Sequence, residues 1–173
     1  MKKVILLSVL LFLPVALIAQ AQAGGTQAGA AKAAAQPNIF DPARDAATDL
    51  QAGIDEAART GKRVLVDVGG NWCSWCHEME RFIEAHPDLH AKLDKNYVKV
   101  KVNWSPENKN EALLLKFPKI SGYPHLFVLD QSGTLLNSED TNLLEDGKTS
   151  YVLEKFMAFL DEWAPPAKRS YAY

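Results

Sequence analysis

Apolar and polar positions follow two rhythms along the chain, one helical and one alternating. From Asp45 to Thr60, Ala47, Leu50, Ile54, Ala57 and Ala58 recur at helical spacing, and Gly61 follows as a C-terminal cap, which predicts an amphipathic helix. Val64 to Val68 is a short β-branched run that predicts a buried strand. The Gly69-Gly70-Asn71 turn ends it, and a helix is expected from about Cys73 to Ala85, where His86-Pro87 stops it. A second short helical piece covers Asp88 to Asp94. Tyr97 to Trp104 alternates strictly, with Val98, Val100, Val102 and Trp104 on one face and Tyr97, Lys99, Lys101 and Asn103 on the other, which predicts a half-buried strand.

Glu107 to Phe117 reads as a helix with Leu113, Leu114 and Phe117 inward. Leu126 to Leu129 reads as a strand, and Asp130-Gln131-Ser132-Gly133 as a hairpin turn into Thr134-Leu135-Leu136. The last helix is expected from about Ser150 to Trp163, with Val152, Leu153, Phe156, Met157 and Leu160 as its apolar stripe. The resulting order is α-β-α-α-β-α-β-β-α. Helices joining the first strands predict parallel crossovers, and the last two strands form an antiparallel hairpin. The fold class is α/β, a mixed sheet with helices on both faces.

The N-terminus has a different pattern. Met1-Lys2-Lys3 is a short basic start, Val4 to Ala19 is apolar apart from Ser8 and Pro14, and small residues recur as Ala19-Gln20-Ala21 and Ala21-Gln22-Ala23. Basic start, apolar middle and small-residue exit describe a secretory signal peptide, and the run is shorter than the ~20 residues that span a bilayer. The expected organisation is a signal peptide over 1–23, a flexible leader over 24–40, a folded domain over 41–163 and a tail over 164–173. Cleavage near Ala21 or Ala23 places the mature chain in the periplasm or outside the cell, with no stable membrane insertion.

Composition narrows the function. With 173 residues, 47% of them hydrophobic, and a net charge of −2, the chain is one domain with material for a core and no electrostatic case for binding nucleic acid. Its two cysteines exclude a disulfide-stapled scaffold and stand together in Cys73-Ser74-Trp75-Cys76-His77. Two thiols so spaced at a strand-to-helix junction form a reversible disulfide. The first sits in the field of a helix N-terminus, which lowers a thiol from ~8.5 toward ~7 and makes it nucleophilic near neutral pH. The same letters spell covalent c-type haem attachment with His77 on the iron, making an electron carrier the alternative. Against it stands the Val-rich strand just ahead, and Met79 is too close to His77 to reach the opposite haem face. Cys73, Cys76, His86 and His90 also run in the order of a zinc site, but nine residues separate the pairs where a zinc finger has about 12, and Pro87 lies between the histidines. A purely structural disulfide gains little, since a four-residue loop closes almost no chain entropy.

Val66-Asp67-Val68-Gly69-Gly70-Asn71-Trp72-Cys73-Ser74-Trp75-Cys76 resembles the strand, buried acid, Trp and redox pair of the thioredoxin superfamily, and Gly122-Tyr123-Pro124-His125-Leu126-Phe127-Val128 resembles its cis-proline loop. The resemblance covers about Asp45 to Trp163 and is nearest to secreted thioredoxin-like domains with an extra N-terminal helix. It implies a thioredoxin-like fold with a four-stranded mixed sheet, and a thiol–disulfide oxidoreductase that needs no cofactor and no metal. Its partners would be protein thiols and disulfides and a redox partner that resets the pair. It implies a Cys73–Cys76 disulfide, with Cys73 as attacking thiol, Cys76 as resolving thiol and Asp67 as proton acceptor for Cys76. Pro124 would be cis, Tyr123 would offer its backbone to an extended substrate, and Trp72 would shield one side of the disulfide. Ser74 and Trp75 replace the Gly-Pro of thioredoxin itself and Tyr123 is bulky for its position, so the direction of electron flow is left open. A redox-inert thioredoxin-fold binding module is the alternative outside catalysis.

Overall fold

The computed structural model describes residues 37–167. The expected signal peptide, the leader up to residue 36 and the tail from residue 168 lie outside the described residues. The element order is α1 (Ala46–Thr60), β1 (Arg63–Gly69), α2 (Ser74–Ala85), α3 (Pro87–Asn96), β2 (Tyr97–Asn103), α4 (Glu111–Leu114), β3 (His125–Leu129), β4 (Leu135–Asp140), a 3-10 turn (Thr141–Leu144) and α5 (Leu153–Glu162). The expected order is reproduced, with the 3-10 turn added.

The four strands lie in the order β2-β1-β3-β4. β2 runs parallel to β1, while β1–β3 and β3–β4 are antiparallel. Alternation along β1 sends Val64, Val66 and Val68 into one core with Val100, Val102, Phe127 and Leu129 beneath α1. Leu65 goes to the opposite face and packs with Leu126, Val128, Met79, Phe82 and Phe156 beneath α2, α3 and α5. The mixed α/β sheet with helices on both faces is the thioredoxin-like fold, with α1 preceding the first strand.

α1 is well specified locally. The Asp45 side chain caps its N-terminus by accepting from the Ala47 and Thr48 amides, and Gly61 takes the left-handed conformation (φ 79°) at its end. Its buried stripe, however, is Ala46, Leu50, Gly53 and Ala57, whereas Ala47 and Ala58 face outward. The helix approaches the sheet at Gly53, where an added Cβ would lie 2.5 Å from a Val100 methyl, and that close approach sets its rotation.

Three elements depart from expectation. The helix expected over 107–117 is a single turn, Glu111–Leu114. Asparagine side chains take over the backbone partners ahead of it: Asn103 Nδ2 donates to the Asn108 carbonyl, Asn110 Nδ2 to the Asn103 carbonyl, and Asn110 itself has φ 49°. The last helix begins at Leu153, because Tyr151 forms a bridge with Glu145 and the amide of Val152 donates to the Leu144 carbonyl. β2 departs on the face expected to be solvated: Lys99 is exposed there, but Tyr97 is buried and donates its hydroxyl to the Leu160 carbonyl, and Lys101 is drawn inward.

Candidate functional site

The site forms where β1 runs out. The amide of Trp104 donates to the Gly69 carbonyl at 2.6 Å, and the amide of Cys73 donates to the Gly70 carbonyl at 3.0 Å, so the β1–α2 turn is fixed by its own backbone. Both glycines are needed for space. A Cβ on Gly70 would lie 2.4 Å from Trp72 Nε1, and one on Gly69 would lie 2.5 Å from Cys76 Sγ.

Cys73 is the N-cap of α2, with extended backbone (φ −87°, ψ 105°), and its sulfur accepts the Cys76 amide at 3.1 Å. Cys73 and Cys76 are joined in a disulfide with Cα atoms 5.2 Å apart. Both are buried, Cys73 with 4% and Cys76 with 1% of its surface exposed. Exposure therefore does not distinguish them. Position does, since Cys73 alone stands at the helix end where unpaired amides and the helix dipole favour negative charge.

Asp67 lies two residues before Gly69 on the same face of β1 and is only 7% exposed. Parallel pairing sets Lys101 directly beside it on β2, and Lys101 Nζ donates to Asp67 Oδ2 at 2.8 Å and to Glu80 Oε1 at 2.5 Å. Glu80 is one helical turn past Cys76 on α2, so the same helix supplies the buried thiol and the second carboxylate. Asp67 Oδ1 is buried with no hydrogen-bond partner among the described residues. Burial pushes the Asp67 carboxyl above its ordinary value, Lys101 pulls it down, and the net direction is up. For Lys101, burial works against the charge, yet Asp67 and Glu80 together outweigh it and hold the ammonium above its ordinary value. Lys101 and Glu80 carry no signal in the sequence until the strand register is known.

Ahead of α1, Phe40 packs on the disulfide with only 1% of its surface exposed, although the expected leader ran through residue 40. Asn71 holds this stretch with three hydrogen bonds: Oδ1 accepts the Ile39 and Phe40 amides at 2.9 and 3.0 Å, and Nδ2 donates to the Phe40 carbonyl at 2.7 Å.

On the outer side, the Tyr123-Pro124 peptide bond is cis and Pro124 is buried, its carbonyl accepting from Thr141 Oγ1 at 2.7 Å. Trp72 is 53% exposed, and its indole donates to the Trp104 carbonyl at 2.7 Å. Its ring meets Trp104 and Tyr123 edge-on at 5.8 and 5.5 Å between centroids, while Trp104 and Tyr123 stack at 5.2 Å. Together they form an aromatic shelf beside the disulfide, to which the sequence reading contributed Trp72 and Tyr123 but not Trp104.

His77 is buried and its Nε2 lies 2.9 Å from the Asn71 carbonyl, so it ties α2 back to the turn instead of standing in solvent. The histidines of the zinc reading are otherwise engaged, His86 with the Phe82 carbonyl and His90 with Asp94. Among the described residues, no group of three or more His, Cys, Asp or Glu side chains is placed to hold a metal. None of the described helices is long and apolar enough to cross a membrane.

A family model described as thioredoxin-like matches residues 45–131. The thiol:disulfide interchange protein DsbD of Actinobacillus pleuropneumoniae serotype 5b is 29% identical over 89 residues, which is 51% of this chain and 15% of that protein. The chain thus matches only a small part of that relative's length. Among solved structures it is similar to a disulphide isomerase from Xylella fastidiosa Temecula1, at 20% identity and TM-score 0.64, over 73% of this chain and 96% of that one. It is also similar to the reduced C-terminal domain of DsbD from Neisseria meningitidis, at 25% identity and TM-score 0.49, over 69% of this chain and 96% of that one.

Proposed function

The chain belongs to the thioredoxin-like family, and from that membership we propose that it is a thiol–disulfide oxidoreductase acting on protein substrates through Cys73 and Cys76. The observation that carries the reading is the placement of the disulfide: at the N-terminus of a helix, above a buried carboxyl with one unpaired oxygen, beside an exposed aromatic shelf. The 29% identity with a thiol:disulfide interchange protein over half of this chain supports the same chemistry.

The chemistry follows from the positions. In the reduced state the helix terminus favours the Cys73 thiolate. That thiolate attacks one sulfur of a substrate disulfide; a Cys73–substrate disulfide forms and the first substrate thiolate leaves. Cys76 then gives its proton to Asp67, and the Cys76 thiolate attacks the Cys73 sulfur. The internal disulfide forms, the second substrate thiolate leaves, and both substrate thiolates are protonated, one by way of Asp67 and one from water. Two electrons pass from the cysteine pair to the substrate. The same steps in reverse oxidise a dithiol, and the partner potentials set the direction. The aromatic shelf and the Tyr123-Pro124 corner would receive an extended substrate segment, Tyr123 offering its backbone and Trp72 its ring.

This reading places the mature protein in the periplasm or outside the cell, and the Lys2-Lys3 start, apolar run and small-residue exit support it. Trapping tests the reading. Cys76→Ala, expressed from the full chain, should accumulate high-mass adducts with exported proteins that collapse on adding reductant, because the mixed disulfide has no internal escape. Cys73→Ala should give few. Two adduct-free single variants would favour the inert binding module instead.

A further inference from the structure

Asp67 is the proton acceptor of the proposed mechanism, and an acceptor's strength depends on how dry it is kept. Strand β2 is the sheet edge beside it, and a cleft of about 870 Å³ runs along that edge. Asp67, Glu80 and Lys101 line this cleft, as do Asn38, Ile39 and Phe40. Asp67 is itself only 7% exposed, and the short strap ahead of α1 borders the same cleft.

Phe40 is the part of the strap that reaches inward. The ring edge lies against Gly69, 2.9 Å from the point where a Cβ would stand, and against the two cysteines. Lys101 Nζ lies 4.8 Å from the ring centroid, so the ammonium that binds Asp67 and Glu80 also faces the Phe40 π-surface. A surface strap of this length has no regular backbone pairing of its own; Asn71, from the turn that carries Cys73, makes three bonds to its Ile39–Phe40 part, and Asn108 Nδ2 donates to the Pro42 carbonyl nearer α1.

Resting on the oxidoreductase reading above, we propose that Phe40 is a positioning residue of that reaction: held by Asn71, its ring covers the Lys101 ammonium beside Asp67, so that the Cys76 proton is exchanged with a carboxyl kept largely out of bulk water. The charged and titratable groups that act on Asp67 are Lys101 on β2 and Glu80 on α2, with Tyr151 ahead of α5, whose phenol feels the Asp67 charge; Cys76 stands one turn before Glu80 on α2. Changing Phe40 substitutes none of these groups, although it takes the ring away from the Lys101 ammonium and from the disulfide. Removing the ring exchanges an apolar roof for water, which stabilises the ionised carboxylate and weakens it as a base.

The test uses the full exported chain, reduced and mixed with a chromogenic aromatic disulfide. Release of the first thiolate reports attack by Cys73, and release of the second reports closure by Cys76. In Phe40→Ala the pH midpoint of the second step should fall by about one unit, a roughly tenfold loss of proton affinity, with the Asp67 carboxyl titration followed by carbon NMR moving alongside it. The first step should change less than about twofold. Phe40→Leu, which keeps an apolar roof, should restore most of the midpoint. Should Phe40→Ala fail to fold, Asn71→Ala, which releases the Ile39–Phe40 part of the strap and leaves the ring intact, should show the same downward shift. An unmoved midpoint in a folded variant, with both thiolates still released, overturns the role of Phe40 alone. A native chain that releases no second thiolate overturns the oxidoreductase reading and this proposal with it.

Discussion

Cys76 Sγ occupies the space that a side chain on Gly69 would need, standing 2.5 Å from the position of a Cβ there, with the Phe40 ring 2.9 Å away on another side. Neither neighbour is free to retreat, since the sulfur is bonded to Cys73 and the ring is buried. Gly69→Ala should therefore destabilise the oxidised protein by about 1–3 kcal/mol, the usual cost of overpacking a filled core. Gly122→Ala, where nothing lies within 4 Å of the new methyl, should leave the melting temperature nearly unchanged. Thermal unfolding of both variants makes the comparison, and equal melting temperatures would contradict the packing account.

The two thiols should differ in reactivity for a reason other than exposure. Both are buried, but the Cys73 sulfur already accepts an amide hydrogen bond at the start of α2. In the reduced protein near neutral pH, iodoacetamide should alkylate Cys73 at least about tenfold faster than Cys76, reflecting the larger thiolate fraction at a helix N-terminus. Peptide mapping of briefly alkylated protein reads the ratio. Equal labelling would remove the basis for assigning attack to Cys73.

The local parts of the fold were legible because their causes are local. Asp45 and Gly61 bound α1, His86-Pro87 divides α2 from α3, and Asp130 to Gly133 makes the turn before β4. What could not be read depends on pieces distant in sequence. The Asp67–Lys101 pair follows from a parallel register that pairs Arg63 with Tyr97, and nothing in either strand alone states that register. Phe40 looked like the end of a small-residue leader, and its burial depends on Asn71, which is 31 residues away. His77 is buried since the turn brings the Asn71 carbonyl to it, a contact that its place in Cys73-Ser74-Trp75-Cys76-His77 does not announce. The expected helix over 107–117 failed where asparagine side chains competed for backbone partners, a preference visible in the sequence but outweighed there by the leucines.

The aromatic shelf offers a way to separate substrate capture from sulfur chemistry. Trp72 is half-exposed and contributes an edge-on contact to Tyr123 and a hydrogen bond to the Trp104 carbonyl. Trp72→Ala should lower kcat/KM for a disulfide-bonded protein substrate roughly tenfold, in keeping with the ~1–2 kcal/mol of an aromatic contact residue. Its rate with a small aromatic disulfide should change much less, and its melting temperature little. A parallel loss with both substrates would place Trp72 in the sulfur chemistry instead of in capture.

Asp67 predicts a pH-dependent gain in stability when its charge is removed. Burial, only partly offset by Lys101, holds this carboxyl above its ordinary value in the folded protein. Between the ordinary value and the raised one, the folded state binds more protons than the unfolded state, so stability falls as pH rises through that window. Above the raised value the full penalty is present, and below the ordinary value none remains. Asp67→Asn keeps the shape and removes the titration, while Lys101 retains Glu80 as its partner. The variant should melt higher than the native protein at alkaline pH, with the difference shrinking steadily as pH falls toward the ordinary carboxyl range and native Asp67 takes up its proton. It should also close the Cys73–Cys76 disulfide more slowly and with a flatter pH profile, having lost the acceptor proposed for that step. Melting curves across that range, set beside the second thiolate-release step, test the two effects together. A stability difference that ignores pH would show that Asp67 is not the buried acid described here.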